Sequence, residues 1–263
     1  MKENNKEYSG YTSGARLFQT IMIALFAALS YLALILFRIP YPAPMGNPFL
    51  HIGNMVVILA ALLIGGWQGG LSGSIGMGLY DILHGYGYYS IKTIILKFGI
   101  GLFAGLVARK GLNNPKSRPI KGLAAASLLS LLSGLSILAG KYFGWDGYEK
   151  ISPVAYIFLL SLGALIGLLV IVSAFCGFFN NEVLYAALGA VTGIAWNVVG
   201  EFLGGTIFKM LEGARWQAAM IASLLSLPAT LINGAFSIVG AVLLYMPLRQ
   251  ALIRARLGNM LSK

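Results

Sequence analysis

The chain has 263 residues, of which 58% are hydrophobic and only 10% are charged, and its formal net charge is +11. A charged content so far below the roughly 25% of soluble domains excludes an ordinary soluble fold with a single core. The basic residues stand in short tails and loops between apolar runs, which favours membrane topology over nucleic-acid binding as the reason for the positive charge.

Apolar runs follow one another along the chain, and a transmembrane helix needs about 20 mostly apolar residues. We predict eight spans, at residues 17–37, 52–66, 69–84, 91–109, 121–140, 153–176, 182–207 and 216–247. The second and third are short and are joined by a tight Gly-Gly-Trp-Gln-Gly-Gly turn, which leaves open a hairpin that does not span fully. The sequence therefore predicts an all-α, polytopic membrane helix bundle that forms one domain over residues 1–263.

Lysine and arginine are distributed unequally between the two sides of these spans. Twelve of the 19 lie in the N-terminal tail, the 109–121 segment and the C-terminal tail, and the remaining seven lie on the other side. Because cytoplasmic segments carry the excess of Lys and Arg, we expect a multi-pass cell-membrane protein with both termini in the cytoplasm.

Small residues at four-residue spacing predict places where helices approach closely. The glycine pairs are Gly66/Gly70, Gly69/Gly73 and Gly101/Gly105, and their simplest interpretation is packing within the bundle. Ala24 and Ala28, with Ala27 beside them, make a smooth stripe on the first helix that is suited to docking another helix. The spacing leaves open whether that helix belongs to this chain or to a partner.

Polar, ionisable and aromatic side chains recur at one depth of the predicted bundle, its outer half. Such groups are costly in a membrane and usually face a cavity or each other, so we expect them to bind a small molecule. Tyrosines offer a flat apolar face and a hydroxyl group, which suits a planar heterocycle, although an interfacial aromatic belt is the alternative for them. The candidate substrate-binding residues are His51, Asn54, Tyr80, Asp81, His84, Tyr86, Tyr88, Lys97, Trp196, Asn197, Glu201 and Asn233, the last nearer the middle as a floor.

Other uses of these residues stay open at this point. Asp81 and Lys97 are able to pair across neighbouring helices as a structural element, whereas Glu201 has no equally obvious partner. His51, Asp81 and His84 make only a weak metal-binding pattern, so we predict no metal and no cofactor. The motifs of metalloproteases, P-loop nucleotide-binding proteins and nucleophile-elbow hydrolases are missing, and we expect no enzyme.

Several motifs occur together in a specific order: His51-Ile-Gly-Asn54, the glycine-rich turn at 65–70, Gly76-x-Gly78-x-Tyr80-Asp81, Ile94-Ile-Leu-Lys97 and Leu227-Pro-Ala-Thr-Leu-Ile-Asn233. This series resembles the substrate-binding S components of energy-coupling factor (ECF) transporters, in the riboflavin-type branch that includes proteins linked to hydroxymethylpyrimidine and pyridoxine. The resemblance covers residues 17–110 and 181–255. S components usually have six helices, so residues 121–176 are interpreted as an inserted helical pair.

The resemblance implies a subunit that captures a vitamin or vitamin precursor at the outer face for ATP-driven uptake. It implies docking on a transmembrane coupling subunit driven by two ATPase subunits, with the stripe of Ala24 and Ala28 as the contact. It places the ligand pocket near the outer face, and we expect loops 38–50 and 85–91 to close it. The expected partners are thus a vitamin-like substrate, the ECF subunits and the lipid bilayer, without nucleic acid.

Two other functions remain as alternatives. One is a stand-alone ion-coupled secondary transporter or channel that uses Asp81, Lys97 and Glu201 as a relay. The other is an intramembrane enzyme or scaffold with an unrecognised site.

Overall fold

A computed structural model describes residues 13–40, 49–113, 119–145, 148–150, 153–175 and 180–257. Almost all of these residues are helical. The helices are α1 (Ser13–Leu36), α2 (Gly53–Ile64), α3 (Gly66–Leu83), α4 (Ser90–Asn113), α5 (Ile120–Tyr142), α6 (Pro153–Phe175), α7 (Asn181–Leu211) and α8 (Trp216–Arg254). Two short strands, β1 (Ile39–Pro40) and β2 (Phe49–Leu50), pair antiparallel between α1 and α2.

The prediction of an all-α bundle is confirmed, and each predicted span corresponds to one helix. Within the described residues five helices, α1, α4, α5, α7 and α8, are long and apolar enough to cross a membrane. The 12 residues of α2 extend about 18 Å, less than the roughly 30 Å of the hydrocarbon region. Eleven of them are buried, so the apolar side chains of α2 form the protein core and do not face lipid. For α2 this length agrees with the possibility, left open by the sequence, that the second predicted span does not cross fully.

The bundle is built around α2, which contacts α1, α3, α4 and α8. Its central residues, such as Val57, Ile58 and Ala60, are fully buried in the main hydrophobic core. A polar group at either end of α2 is therefore held by the surrounding helices and not by bulk solvent.

Glycines set the close crossing of α3 and α4. A Cβ atom added at Gly66 or Gly70 would meet the backbone of α4, and one added at Gly101 or Gly105 would meet the backbone of Gly70 or Gly66. Two of the predicted glycine pairs thus face each other, as in other small-residue helix contacts. On the opposite side of α4, Gly193 of α7 packs against its backbone in the same way. Glycine packing therefore fixes α4 between α3 and α7.

An interhelix contact joins the start of α7 to the end of α8. Asn180 caps α7 by accepting a hydrogen bond from the Val183 N–H at 2.9 Å. The Glu182 carboxylate accepts a hydrogen bond from the Tyr245 hydroxyl at 2.6 Å and forms an ion pair with Arg249 at 2.9 Å. This Glu182 contact lies at the end of the bundle where α1 begins and α8 ends.

Helices α5 and α6 form a hairpin that packs mainly on itself. Ser127 donates to the Gly163 carbonyl and Ser130 to the Leu159 carbonyl, each at 2.7 Å. A small separate cluster, including Leu123 of α5, attaches the hairpin to α7. The hairpin coincides with the predicted 121–176 pair, and its status as an insertion into the family architecture stays a prediction.

Candidate functional site

A polar cavity of about 400 Å³ opens at the end of the bundle where α2 and α4 begin. Its size lies within the roughly 300–1,000 Å³ of small-molecule sites. It is lined by Phe49, His51, Asn54, Lys92, Lys97, Asn197, Glu201, Ser226, Ala229, Thr230 and Asn233. The structure thus brings six of the twelve predicted residues together: His51, Asn54, Lys97, Asn197, Glu201 and Asn233. Their contact with a ligand stays a prediction.

Helical spacing explains how α7 and α8 deliver their side chains to this cavity. Asn197 and Glu201 are four residues apart on α7, and Ser226, Thr230 and Asn233 follow at intervals of four and three on α8. Residues three and four apart lie on one helix face.

Five lining residues were absent from the sequence-based set: Phe49, Lys92, Ser226, Ala229 and Thr230. The spacing of Ser226 and Thr230 ahead of Asn233 is a signal in the sequence that identifies the polar face of α8. Lys92 carries no such signal, because its partner lies on a distant helix.

A buried lysine forms one wall of the cavity. The Nζ atom of Lys97 donates a hydrogen bond to the Asn197 Oδ1 atom at 3.0 Å, and the two residues are only 6% and 1% exposed. A charge at such burial is costly unless its hydrogen-bonding capacity is used. An ammonium group has three donors, so Asn197 alone satisfies only part of that capacity.

Glu201 pairs with Lys92, at 2.7 Å between Oε2 and Nζ. The expectation that Glu201 lacks an obvious partner is corrected by this contact. The alternative pairing of Asp81 with Lys97 is wrong as well, since the Asp81 carboxylate accepts a hydrogen bond from the Thr93 hydroxyl. Within the described part of the chain, Lys92–Glu201 and Arg249–Glu182 are the ion pairs.

Asn233 of α8 forms hydrogen bonds to β2 and to His51, the residue that follows it. Its Oδ1 atom accepts a hydrogen bond from the His51 N–H at 2.9 Å, and its Nδ2 atom donates to the Phe49 carbonyl at 3.0 Å. Arg38, just before β1, lies over the Phe49 ring at 4.3 Å. Asn233 therefore positions the rim of the cavity as well as lining it. Residues 41–48 of the predicted closing loop 38–50 lie outside the described residues.

His51 stands in the cavity as a neutral imidazole. Its Nδ1 atom accepts a hydrogen bond from the Gly53 N–H at 3.2 Å, which requires that nitrogen to be unprotonated. Burial, assisted by the nearby positive charge of Lys97, lowers the pKa of His51 to about 3. The ring thus contributes no charge to the cavity near neutral pH.

Asn54 contributes a hydrogen-bond acceptor that has no donor in the protein structure described. The residue is 2% exposed, and its Oδ1 atom has no hydrogen-bond partner. Leaving a buried acceptor unsatisfied costs about 1–3 kcal/mol. A structure that holds such a group at a cavity wall is suited to receive a donor from a bound molecule.

The other six predicted substrate-binding residues do not line this cavity. Tyr80 is buried between helices and stacks on His84, with ring centroids 4.2 Å apart, and Tyr31 of α1 completes that cluster. Asp81 is held by Thr93. The cause is packing, because Tyr80 and His84 contact Tyr31 of α1 and Asp81 contacts Thr93 of α4.

Tyr86, Tyr88 and Trp196 are exposed. Tyr88 packs edge-on against Phe208, with ring centroids 5.1 Å apart. Trp196 lies against Phe103 and against the position of Gly99 on α4, although its neighbour Asn197 points into the cavity. These positions match the aromatic-belt alternative for the tyrosines.

The three alanines of the predicted docking stripe differ in how buried they are. Ala24 and Ala28 are exposed on α1. Ala27 is 6% exposed, and a Cβ atom added at Gly76 of α3 would meet its carbonyl oxygen. Ala27 thus packs inside the bundle, and its assignment to partner docking is corrected.

The second cavity of the bundle is a weaker candidate for a polar ligand. A larger cavity of about 620 Å³ between the α5–α6 hairpin and α7–α8 is lined by apolar side chains alone, so it offers nothing to orient a polar solute. In the residues that the structure describes, no three His, Cys, Asp or Glu side chains gather closely enough to hold a metal ion.

Residues 16–143 match the family described as the ECF-type riboflavin transporter S component. Through this region the chain is related to the ECF S components. The resemblance seen in the sequence motifs is thereby confirmed, and the matched family is a transporter component. The S component match includes α1–α5 and ends before α6, so the S-component-like character of residues 181–255 stays a prediction.

Two curated proteins are similar to the chain. One, from Pyrococcus woesei, is described as an uncharacterized protein in gap 3'region and is 31% identical over 102 residues, 39% of this chain and 66% of that protein. The other is the thiamine precursor transporter HmpT of Lactococcus lactis subsp. cremoris (strain MG1363), 28% identical over 124 residues, 47% of this chain and 68% of that protein. The chain thus aligns with about two thirds of each relative. No solved structure gives a significant match.

Proposed function

We propose that this chain is the membrane substrate-binding subunit of an ECF-type importer and captures a vitamin or vitamin precursor in the polar cavity. The convergence of six predicted residues on one cavity, in a chain related to S components, is the observation that carries the proposal. The name of the relative from Lactococcus lactis, a thiamine precursor transporter, supports the same substrate class. The combination of amide, charged and aromatic groups suits a planar heterocycle.

The cavity faces the outside in this proposal. It lies at the end of the bundle opposite the start of α1 and the end of α8, where Arg16, Arg249 and Arg254 stand. Because basic residues favour the cytoplasmic side, both termini are cytoplasmic and the cavity is at the outer face. The segment around β2, which Asn233 holds, forms one wall of the entrance.

Uptake in this proposal requires partner subunits. The chain contains no P-loop sequence that would bind a nucleotide. The exposed stripe of Ala24 and Ala28 is flanked by exposed Leu25 and Leu29, and small residues there allow a helix of the transmembrane coupling subunit to approach. Two ATPase subunits bound to that subunit supply the energy.

The proposal is tested by mass spectrometry of the small molecule that copurifies with the detergent-extracted protein. We expect a heterocyclic vitamin or precursor in the wild type and its loss in Asn197→Ala and Glu201→Ala, because both side chains line the cavity. Glu149→Ala is the matched control, since Glu149 is exposed between α5 and α6 and does not line the cavity. Normal retention in both cavity variants would remove these residues from the site.

An ion-coupled transporter receives less support. A relay through Asp81, Lys97 and Glu201 needs these three groups to follow one another along a path in space. Asp81 instead bonds to Thr93 and lies outside the cavity lining. Uptake into ATP-depleted vesicles under an ion gradient alone would favour this alternative.

A further inference from the structure

The charges that line the cavity do not balance. Its lining contains two cationic side chains, Lys92 and Lys97, and one anionic side chain, Glu201, among the residues that the structure describes. Lys92 and Glu201 compensate each other at 2.7 Å. His51 adds no charge, because its Nδ1 atom is an acceptor. One positive charge in the cavity wall, that of Lys97, is left over.

The environment of Lys97 offers it no contacting anion. Its one hydrogen bond in the structure goes to the neutral amide oxygen of Asn197. Glu201 and Asp81 are near enough to interact with Lys97 electrostatically, but the Glu201 carboxylate bonds to Lys92, and the Asp81 carboxylate bonds to Thr93 and does not line the cavity. A buried charge that lacks an opposite charge is strongly unfavourable. The structure thus holds a cationic donor at the cavity wall whose natural complement is an anion.

A second group in the same cavity specifies a different contact. The Asn54 Oδ1 atom is buried and without a partner, and it is able only to accept a hydrogen bond. It therefore calls for an N–H or O–H donor. A single molecule that pairs with both residues carries an anionic group for Lys97 and a hydrogen-bond donor for Asn54.

We propose that the substrate is a heterocycle with a single carboxylate, which pairs with Lys97, and a ring N–H or O–H group, which donates to Asn54. This inference rests on the proposed function, since it assumes that the polar cavity holds the transported molecule. A monoanion matches the single uncompensated cation, whereas a dianion would bring a second negative charge into a largely buried site.

The test uses matched pairs of probe compounds with the purified full-length protein in detergent. The pairs are the monocarboxylates of pyridine, pyrimidine and pyrazine and the carboxamides of the same rings, and binding is measured as a rise in the unfolding temperature and by calorimetry. Binding of carboxylates but not of their carboxamides supports the inference. Binding of carboxamides alone, or equally well, overturns it and leaves the proposed function standing. Binding by neither class overturns the inference, while the proposed function is decided separately by the molecule that copurifies.

A variant separates a specific carboxylate contact from general attraction to a basic protein. We expect Lys97→Met to weaken binding of the best carboxylate about 30-fold or more, because it removes one partner of a buried charge pair. Lys209→Met is the matched control: Lys209 bonds to Ser223 and does not line the cavity. Equal losses in the two variants would contradict the assignment to Lys97.

Discussion

Asn233 of α8 accepts a hydrogen bond from the backbone N–H of His51, at a separation of 182 positions in the sequence. The same side chain donates to the Phe49 carbonyl. One amide therefore connects the last helix to the segment that leads into the most buried helix. The shape of the cavity rim depends on this connection.

We expect Asn233→Leu to loosen that rim, because it keeps the size of the side chain and removes both hydrogen bonds. The unpaired backbone groups cost about 1 kcal/mol or more each, so affinity for the copurifying molecule should fall about tenfold or more. Amide hydrogen exchange of residues 49–52 should accelerate. Ser237→Ala is the control, since its hydroxyl bonds to the Asn233 carbonyl without contacting β2. Unchanged exchange in Asn233→Leu would refute the positioning role.

The neutral state of His51 predicts a specific sensitivity to acid. Its pKa in the folded protein, about 3, lies below the ordinary value of 6.5, so the unfolded chain binds the proton more readily. Stability that this group contributes is therefore present above pH 6.5 and is lost as the pH falls from 6.5 towards 3. His51→Asn should reduce that loss, because an Asn side chain accepts from the N–H two residues ahead without titrating.

This prediction is tested by measuring the unfolding temperature in detergent between pH 7 and pH 4. His84→Asn is the matched control, because it removes the chain's other histidine from an aromatic cluster outside the cavity. A wild-type acid dependence in His51→Asn would show that His51 is not the responsible group.

The α3–α4 crossing predicts a steep penalty for a single methyl group. In Gly101→Ala the new Cβ atom would meet the backbone of Gly70, which is unable to rotate away as a side chain does. Overpacking of this kind costs about 1–3 kcal/mol, so we expect the unfolding temperature to fall by about 5 °C. In Gly87→Ala the Cβ atom meets nothing within 4 Å, and this control should unfold at the wild-type temperature. Equal behaviour of the two variants would contradict the close crossing.

If α1 docks on the coupling subunit, substitutions on its exposed face should abolish uptake without changing the affinity for the bound molecule. Ala24→Trp combined with Ala28→Trp should leave affinity for the copurifying molecule unchanged and abolish its uptake by cells, because the new rings block a partner helix on an exposed face. Leu128→Trp with Leu132→Trp is the control, as it places two tryptophans four residues apart on an exposed face of α5. Normal uptake in the α1 double variant would exclude that face as the docking surface.

The sequence was sufficient for the helices and for part of the cavity. Apolar runs bounded by glycine, proline and polar residues located all eight helices, because a continuous apolar run is itself a strong signal for a membrane or buried helix. Glycine spacing indicated the α3–α4 contact. The rule that polar groups in a membrane gather around a function identified His51, Asn54, Lys97, Asn197, Glu201 and Asn233, which the structure places together.

The remaining errors come from contacts between helices that are distant in sequence. Lys92 and Glu201 are separated by 109 positions, and only the packing of α4 on α7 makes them partners. Ala27 differs from Ala24 and Ala28 only in the direction it faces on α1, which depends on where α3 lies. The sequence placed Tyr80, Asp81 and His84 at the end of the bundle where the structure has them, whereas it did not give the direction of their side chains around the helix axis.

The Glu182 contact with Tyr245 and Arg249 has a mechanical consequence for the two walls of the cavity. Helices α7 and α8 are joined there by side chains, and at the cavity end residues 212–215 join the same two helices through the backbone. Asn197 and Thr230 therefore lie between two connections. The spacing of these two walls is set at either end, so a bound molecule meets walls that are already in place.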